Sequence, residues 1–231
     1  MADATAREEA TKTAPAATWA GSGRKYAVEA IGTFFLVFTV TTSVLSGGTF
    51  TPLAAGAVLM VMIYAGGHIS GGHYNPAVTT AVLLRGRIDL RDAVGYWISQ
   101  LVAGVVAALI AHAIVNPPSD KTLHLSGHAL MAAALAELLF TFALCYVVLN
   151  VATSKDQPNN GFFGLAIGFT VAAGAFAVGG LSGGAFNPAV ALGGATGGLF
   201  AWSTIWVYLV VQIVAGAGAG LAFLALNPDD K

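Results

Sequence analysis

Apolar residues in this chain gather into six long segments, at 25–46, 53–67, 92–114, 128–150, 161–179 and 202–226. Runs of this length with few charges predict helices that cross a hydrocarbon core of about 30 Å. The second and fifth segments are short. Each leads into a glycine-rich break, Ser70-Gly71-Gly72-His73-Tyr74 and Ser182-Gly183-Gly184-Ala185-Phe186. Behind each break stands an Asn-Pro-Ala triplet, Asn75-Pro76-Ala77 and Asn187-Pro188-Ala189, followed by a short apolar tail, 78–84 and 190–196. A triplet with its tail is only about 10 residues, too short to cross the core. The pattern therefore predicts two half-helices that enter from a surface and stop near the middle.

Composition agrees with an all-α membrane protein. Of 231 residues, 56% are hydrophobic and 9% charged, against about 25% charged in soluble domains. A net charge of −1 argues against a nucleic-acid partner. The single cysteine, Cys145, lies in an apolar run and reads as a small core residue. There is no Cys/His cluster with metal spacing, no nucleophile–base pair and no phosphate loop, so neither metal, cofactor nor enzyme activity is expected. Residues 1–23 are rich in Ala, Thr and Glu and lack an apolar h-region, which predicts a short disordered tail.

The charges orient the spans. Arg7, Lys12, Arg24 and Lys25 precede the first span, and Arg85, Arg87 and Arg91 follow the first half-helix. Lys155 falls between the fourth and fifth spans, Lys231 follows the sixth, and Lys121 alone lies on the other side. With six spans, the positive-inside rule puts both termini in the cytoplasm of a multi-pass plasma (inner) membrane protein.

The chain also repeats itself. Leu53-Ala54-Ala55-Gly56 returns as Leu165-Ala166-Ile167-Gly168, Asn75 as Asn187, and Gln100-Leu101-Val102-Ala103-Gly104 as Gln212-Ile213-Val214-Ala215-Gly216, all 112 positions on. Glu29 with Thr33-Phe34 returns as Glu137 with Thr141-Phe142, 108 positions on. Two similar halves with three spans each must face opposite ways, an inverted repeat with its functional site near the midplane. The membrane domain is read as 24–228, with repeat one at about 24–116 and repeat two at about 127–228.

Irregular backbone at membrane depth is tolerated only when buried in protein or lining a wet cavity. The carbonyls of Gly71, Gly72 and His73, and of Gly183, Gly184 and Ala185, are then candidates to line a path. Proline suits the first turn of a helix, and asparagine its N-cap. The symmetry brings two half-helix N-termini together, each with the positive end of a helix dipole. With two asparagine amides, such a site disfavours cations, hydronium included, and suits a neutral oxygen that accepts hydrogen bonds. The carboxylates within the spans, Glu29 and Glu137, admit two readings: acceptors for the N–H groups of the breaks, or proton relays of a coupled transporter. Their equivalent positions and the absence of an in-span Lys or Arg favour the first. His68 is read as a structural hydrogen-bonder supporting the first break. Gly164/Gly168, Gly216/Gly220 and Gly104/Ala108 are small-residue pairs that permit close helix crossing.

These residues resemble the aquaporin and glycerol-facilitator family, the major intrinsic proteins, over about 25–226. The resemblance rests on Glu29-Ala30-Ile31-Gly32-Thr33-Phe34, on Gly67 to Thr79, on Ala136-Glu137, and on Ser182 to Ala189. It implies six transmembrane helices plus two re-entrant half-helices in an inverted three-helix repeat, and one pore per subunit of a homotetramer. It also implies passive flow of water or small uncharged solutes. The same resemblance places an outer aromatic/arginine filter at Ala55, Ala175, Gly184 and Val190, where the family's arginine is replaced by Val190. A wide, greasy outer mouth is then expected, open to glycerol, urea or metalloid hydroxides, unless Tyr74, Phe176 or Phe186 fills it. Two other readings stay open: a membrane structural protein with a closed pore, and the proton-coupled transporter.

Overall fold

The structure, a computed structural model, describes residues 19–118 and 122–230. Eight α-helices follow one another: α1 (Trp19–Leu45), α2 (Thr51–Ser70), α3 (Pro76–Leu84), α4 (Leu90–Val115), α5 (Gly127–Ala152), α6 (Phe163–Ser182), α7 (Pro188–Thr196) and α8 (Ile205–Leu226). Six of them are long and apolar enough to span a membrane. The nine-residue α3 and α7 reach about 13 Å at 1.5 Å per residue, roughly half the core.

Two boundaries differ from the sequence reading. The second and fifth spans do not stop at Gly67 and Gly179 but continue to Ser70 and Ser182. Away from water nothing competes for their backbone hydrogen bonds, so glycine does not end a helix there. The first helix already includes residues 19–23, so the expected tail is shorter than 1–23. The remainder of that tail, with Arg7 and Lys12, lies outside the described residues, as do Lys121 and Lys231.

The start of α1 and the end of α8 share one face of the bundle, here termed inner; the α4–α5 connection lies on the other, outer face. Within each half the first helix packs on the second and third long helices: α1 on α2 and α4, α5 on α6 and α8. The halves are joined by α2 against α6, α3 against α8 and α7 against α4. Glycine permits these contacts. A Cβ at Gly56 would stand 2.4 Å from the Gly168 carbonyl oxygen, and one at Gly216 only 2.3 Å from that of Ala77. The repeat-related Gly104 faces the Ala189 carbonyl in the same way, at 2.8 Å. Large apolar side chains such as Ile31, Leu135 and Phe176 point outward, as a bilayer-facing surface requires.

On the inner face, Asp230 ties the end of the chain to both halves. It accepts from Arg85 at 2.6 Å, from Arg87 at 3.3 Å and from the Lys155 backbone N–H at 2.9 Å. The Arg85 guanidinium also lies 4.6 Å from the Phe223 ring centroid. Burial works against ionisation of Asp230. The Lys155 N–H, the Ser154 hydroxyl and the Arg85 charge outweigh it and hold the carboxyl below its ordinary range.

Candidate functional site at the midplane

Each break begins where a spanning helix ends in a left-handed glycine, Gly71 at φ 88° and Gly183 at φ 85°. Tyr74 and Phe186 are also left-handed, at φ 49° and 47°, an uncommon state for bulky residues. Glu29 and Glu137 stabilise it. Glu29 Oε1 accepts from Ser70 Oγ at 2.7 Å and His73 N–H at 2.9 Å; Oε2 accepts from Tyr74 N–H at 2.6 Å and Gln100 Nε2 at 2.8 Å. Glu137 does the same with Ser182, Ala185, Phe186 and Gln212 at 2.7, 2.9, 2.7 and 2.8 Å. Both carboxylates are fully buried, and each oxygen already accepts two donors.

The Tyr96 hydroxyl donates to the Ser70 carbonyl, and the Tyr208 hydroxyl to that of Ser182. His68 takes no part: it is exposed at the inner mouth, and no hydrogen bond links it to the breaks. Glu29, Gln100 and Tyr96 already occupy the supporting positions.

Asn75 and Asn187 are extended N-caps at φ −156° and −160°. The Asn75 Oδ1 accepts from Ala77 N–H at 2.8 Å, and that of Asn187 from Ala189 N–H at 2.9 Å. Their amides cross to the other half: Asn75 Nδ2 donates to the Phe186 carbonyl and Asn187 Nδ2 to the Tyr74 carbonyl, each at 2.9 Å. An amide has two N–H donors, so each asparagine keeps one for the space it lines. Pro76 and Pro188 sit in the first turns and are buried.

That space is a narrow passage of about 30 Å³, room for roughly two waters. Its lining residues all fall into repeat-related pairs: Leu36/Leu144, Val40/Val148, Ala55/Ile167, Leu59/Val171, Gly72/Gly184, His73/Ala185, Asn75/Asn187 and Val78/Val190. The breaks and asparagines give it a polar side. Aliphatic side chains of the long helices give it an apolar one. Toward the inner face it shares His73 and Val148 with a vestibule of about 620 Å³, and toward the outer face it shares Val40 and Val190 with a chamber of about 110 Å³.

The passage brings together Ala55, Gly184 and Val190 of the expected filter. Ala175 is not on its wall but packs behind Gly184; Ile167, the repeat partner of Ala55 near the inner end of α6, lines the passage at a different depth. Gly71 lines the inner vestibule and Gly183 the outer chamber. At Val190 the passage does not open straight to the outer face but into a chamber of about 110 Å³, walled also by Val40, Val44, Leu199 and Phe200. Nor do the three aromatic candidates narrow it. Tyr74 is buried, its hydroxyl donating to the Met62 carbonyl at 2.9 Å; Phe186 packs on Phe140; and Phe176 points outward. The aromatic residue at the outer chamber is Phe200, which the sequence reading missed. It lies outside the repeat register, and no sequence signal marks it.

Six spanning helices, two half-helices meeting tip to tip and a passage lined in repeat-related pairs define an inverted-repeat helical membrane protein with a midplane site. The sequence matches the family profile described as Major intrinsic protein over residues 16–223, and the chain belongs to that family. It is 39% identical over 216 residues to the glycerol uptake facilitator protein-like 6 of Lactiplantibacillus plantarum, covering 90% of this chain and 100% of that one. It is 39% identical over 143 residues to aquaporin TIP1-1 of Arabidopsis thaliana, covering 60% of this chain and 55% of the plant one. The match to probable aquaporin TIP3-2 of the same plant is 35% over 143 residues, 61% of this chain and 53% of the relative. The chain thus spans about half the length of these plant relatives. The fold is shared with the aquaglyceroporin of Plasmodium falciparum, with a TM-score of 0.71 and 21% identity over 87% of this chain and 95% of that one.

Proposed function

We propose that this chain is a passive channel for water and small uncharged solutes of the glycerol, urea or metalloid hydroxide class. The observation that carries this reading is the two-sided wall of the midplane passage. Hydroxyls or amides of a solute meet Asn75, Asn187 and the carbonyls of the breaks; its carbon side meets Leu36, Leu59, Leu144 and Val171. Two half-helix N-termini pointing at one spot make that spot unfavourable for cations. The names of the bacterial and plant relatives, a glycerol facilitator and aquaporins, support the same class.

Glu29 and Glu137 serve as scaffold in this reading. Neither lines the passage, and their oxygens are occupied by the donors of the breaks, which speaks against a proton relay. The working unit is a homotetramer with one pore per subunit, set in the plasma (inner) membrane among its lipids. Arg24, Lys25, Arg85, Arg87, Arg91 and Lys155 on the inner face support a cytoplasmic location for both termini.

Stopped-flow light scattering on proteoliposomes of the purified chain tests the channel. Water and glycerol fluxes above those of empty liposomes are expected. Intact oligomers with neither flux support the closed-pore structural protein and overturn this reading.

A further inference from the structure

The two halves agree in the Glu, Ser, Tyr and Asn bonds at the breaks, yet they differ at the two mouths. Tyr96 and Tyr208 are repeat partners, and each carries an aromatic neighbour with ring centroids 5.1 Å apart: His73 beside Tyr96, Phe200 beside Tyr208. Each neighbour also covers the glycine that ends the preceding spanning helix. A Cβ at Gly71 would stand 3.3 Å from the His73 ring, and one at Gly183 2.4 Å from the Phe200 ring.

The same niche is therefore filled twice, by residues that are not repeat partners. The partner of His73 is Ala185, which has no ring to offer. Phe200 fills the niche from the loop beyond α7. Two features hold it there. Gly194 leaves room, since a Cβ at that position would stand 2.5 Å from the ring. The flanking backbone pairs with Leu123 of the outer connection, Leu123 N–H donating to the Leu199 carbonyl at 2.8 Å and Ala201 N–H to the Leu123 carbonyl at 3.3 Å.

Position gives the two rings their roles. His73 stands where the inner vestibule meets the passage. Phe200, with Leu123 and Val190, lines the outer chamber that opens into the passage. We infer that Phe200 is the specificity-determining residue of the outer mouth, setting its size cut-off in place of the absent filter arginine. An apolar ring offers an entering solute no hydrogen bond, so the solute sheds water there before it reaches Asn75 and Asn187. Selection at such a ring is by cross-section and by the cost of losing water.

The inference rests on the channel reading, and the experiment separates the two. Full-length wild-type, Phe200→Leu and Phe200→Ala proteins are reconstituted in liposomes, and water, glycerol and erythritol permeabilities are measured. Wild-type protein passing none of the three removes the channel reading. With wild-type flux present, the erythritol-to-water ratio is expected to rise several-fold in Phe200→Ala and less in Phe200→Leu. An unchanged ratio overturns the inference.

Phe200→Cys covers the case in which the alanine variant fails to fold. Cys145, the one native cysteine, is fully buried, so a membrane-impermeant methanethiosulfonate reagent added outside reads position 200 alone. The reagent is expected to lower flux in Phe200→Cys and leave wild type untouched. Flux that survives complete labelling removes Phe200 from the solute path.

Discussion

The Asn187 side-chain amide donates to the carbonyl of Tyr74, 113 positions away in sequence, at 2.9 Å. Asn75 returns the bond to Phe186, so each asparagine caps its own half-helix and fastens the break of the other half. Asn187→Ala removes a cap, about 1 kcal/mol, and leaves the Tyr74 carbonyl unpaired, about 1–3 kcal/mol. A fall of about 2–4 kcal/mol is expected from the sum of those two terms. Because the geometry is repeated, Asn75→Ala should match it closely in thermal unfolding in detergent; a loss at only one of the two positions would refute the paired role.

Gly216 and Gly104 hold the half-helices close. Gly216→Ala puts a methyl group 2.3 Å from the Ala77 carbonyl oxygen, and Gly104→Ala puts one 2.8 Å from that of Ala189. Overpacking of this kind costs about 1–3 kcal/mol, and Gly216→Ala is expected to be the worse of the two. Gly180 has open space around its Cβ direction, so Gly180→Ala serves as the control. Equal melting temperatures for all three variants would contradict this geometry.

Glu29→Gln replaces an acceptor of four donors with a group that carries two N–H donors of its own. Breaking a buried charged network of this kind costs about 3–5 kcal/mol. The same substitution at Glu137 should cost a similar amount. Protein that does fold should show no solute-driven proton movement, as for wild type. Proton movement in wild type that disappears in Glu29→Gln would establish coupling instead.

Val190→Arg tests the passage from the opposite direction to the loss of Phe200. A guanidinium at the junction of the passage and the outer chamber adds charge and bulk. Glycerol flux should fall several-fold while water flux is kept better. Unchanged glycerol flux would mean that solutes do not pass Val190.

The Asp230 clasp carries a pH signature. Its carboxyl is held below the ordinary 3.8, so its contribution is fully present above that value and fades as pH falls through the lower, folded-state value. Asp230→Asn should therefore melt below wild type at neutral pH, and the gap should narrow as pH falls below 3.8 and through the lower folded-state value. A gap that stays constant with pH would show that Asp230 acts through packing alone.

The sequence carried the parts that repeat. Glu29 and Glu137, the two breaks, the two triplets and the glycines at 104 and 216 were visible because each half supports the reading of the other. Val190 stood out because the resemblance places an arginine there, and it lines the passage together with its repeat partner Val78. What escaped lies outside the repeat. Phe200 is placed by a backbone pairing with Leu123, between two irregular segments that no periodicity links. Ile167 lines the passage only as the repeat partner of Ala55, and Ala175 packs behind Gly184, a contact that depends on how the second break folds against α6. Asp230 reaches Arg85 across 145 positions without a partner in the other half to mark it.

The Glu, Ser and Tyr bonds that shape each break come from its own half and one asparagine bond comes from the other, while the half-helix behind the break packs mainly on a helix of the other: α3 on α8, α7 on α4. Each half leaves the larger part of its half-helix to be covered by the other. An ancestral gene encoding one such half would have made an obligate pair of antiparallel subunits, inserted in both orientations. The present chain, cut in the α4–α5 connection and expressed as two pieces, should likewise assemble only when both pieces share a membrane.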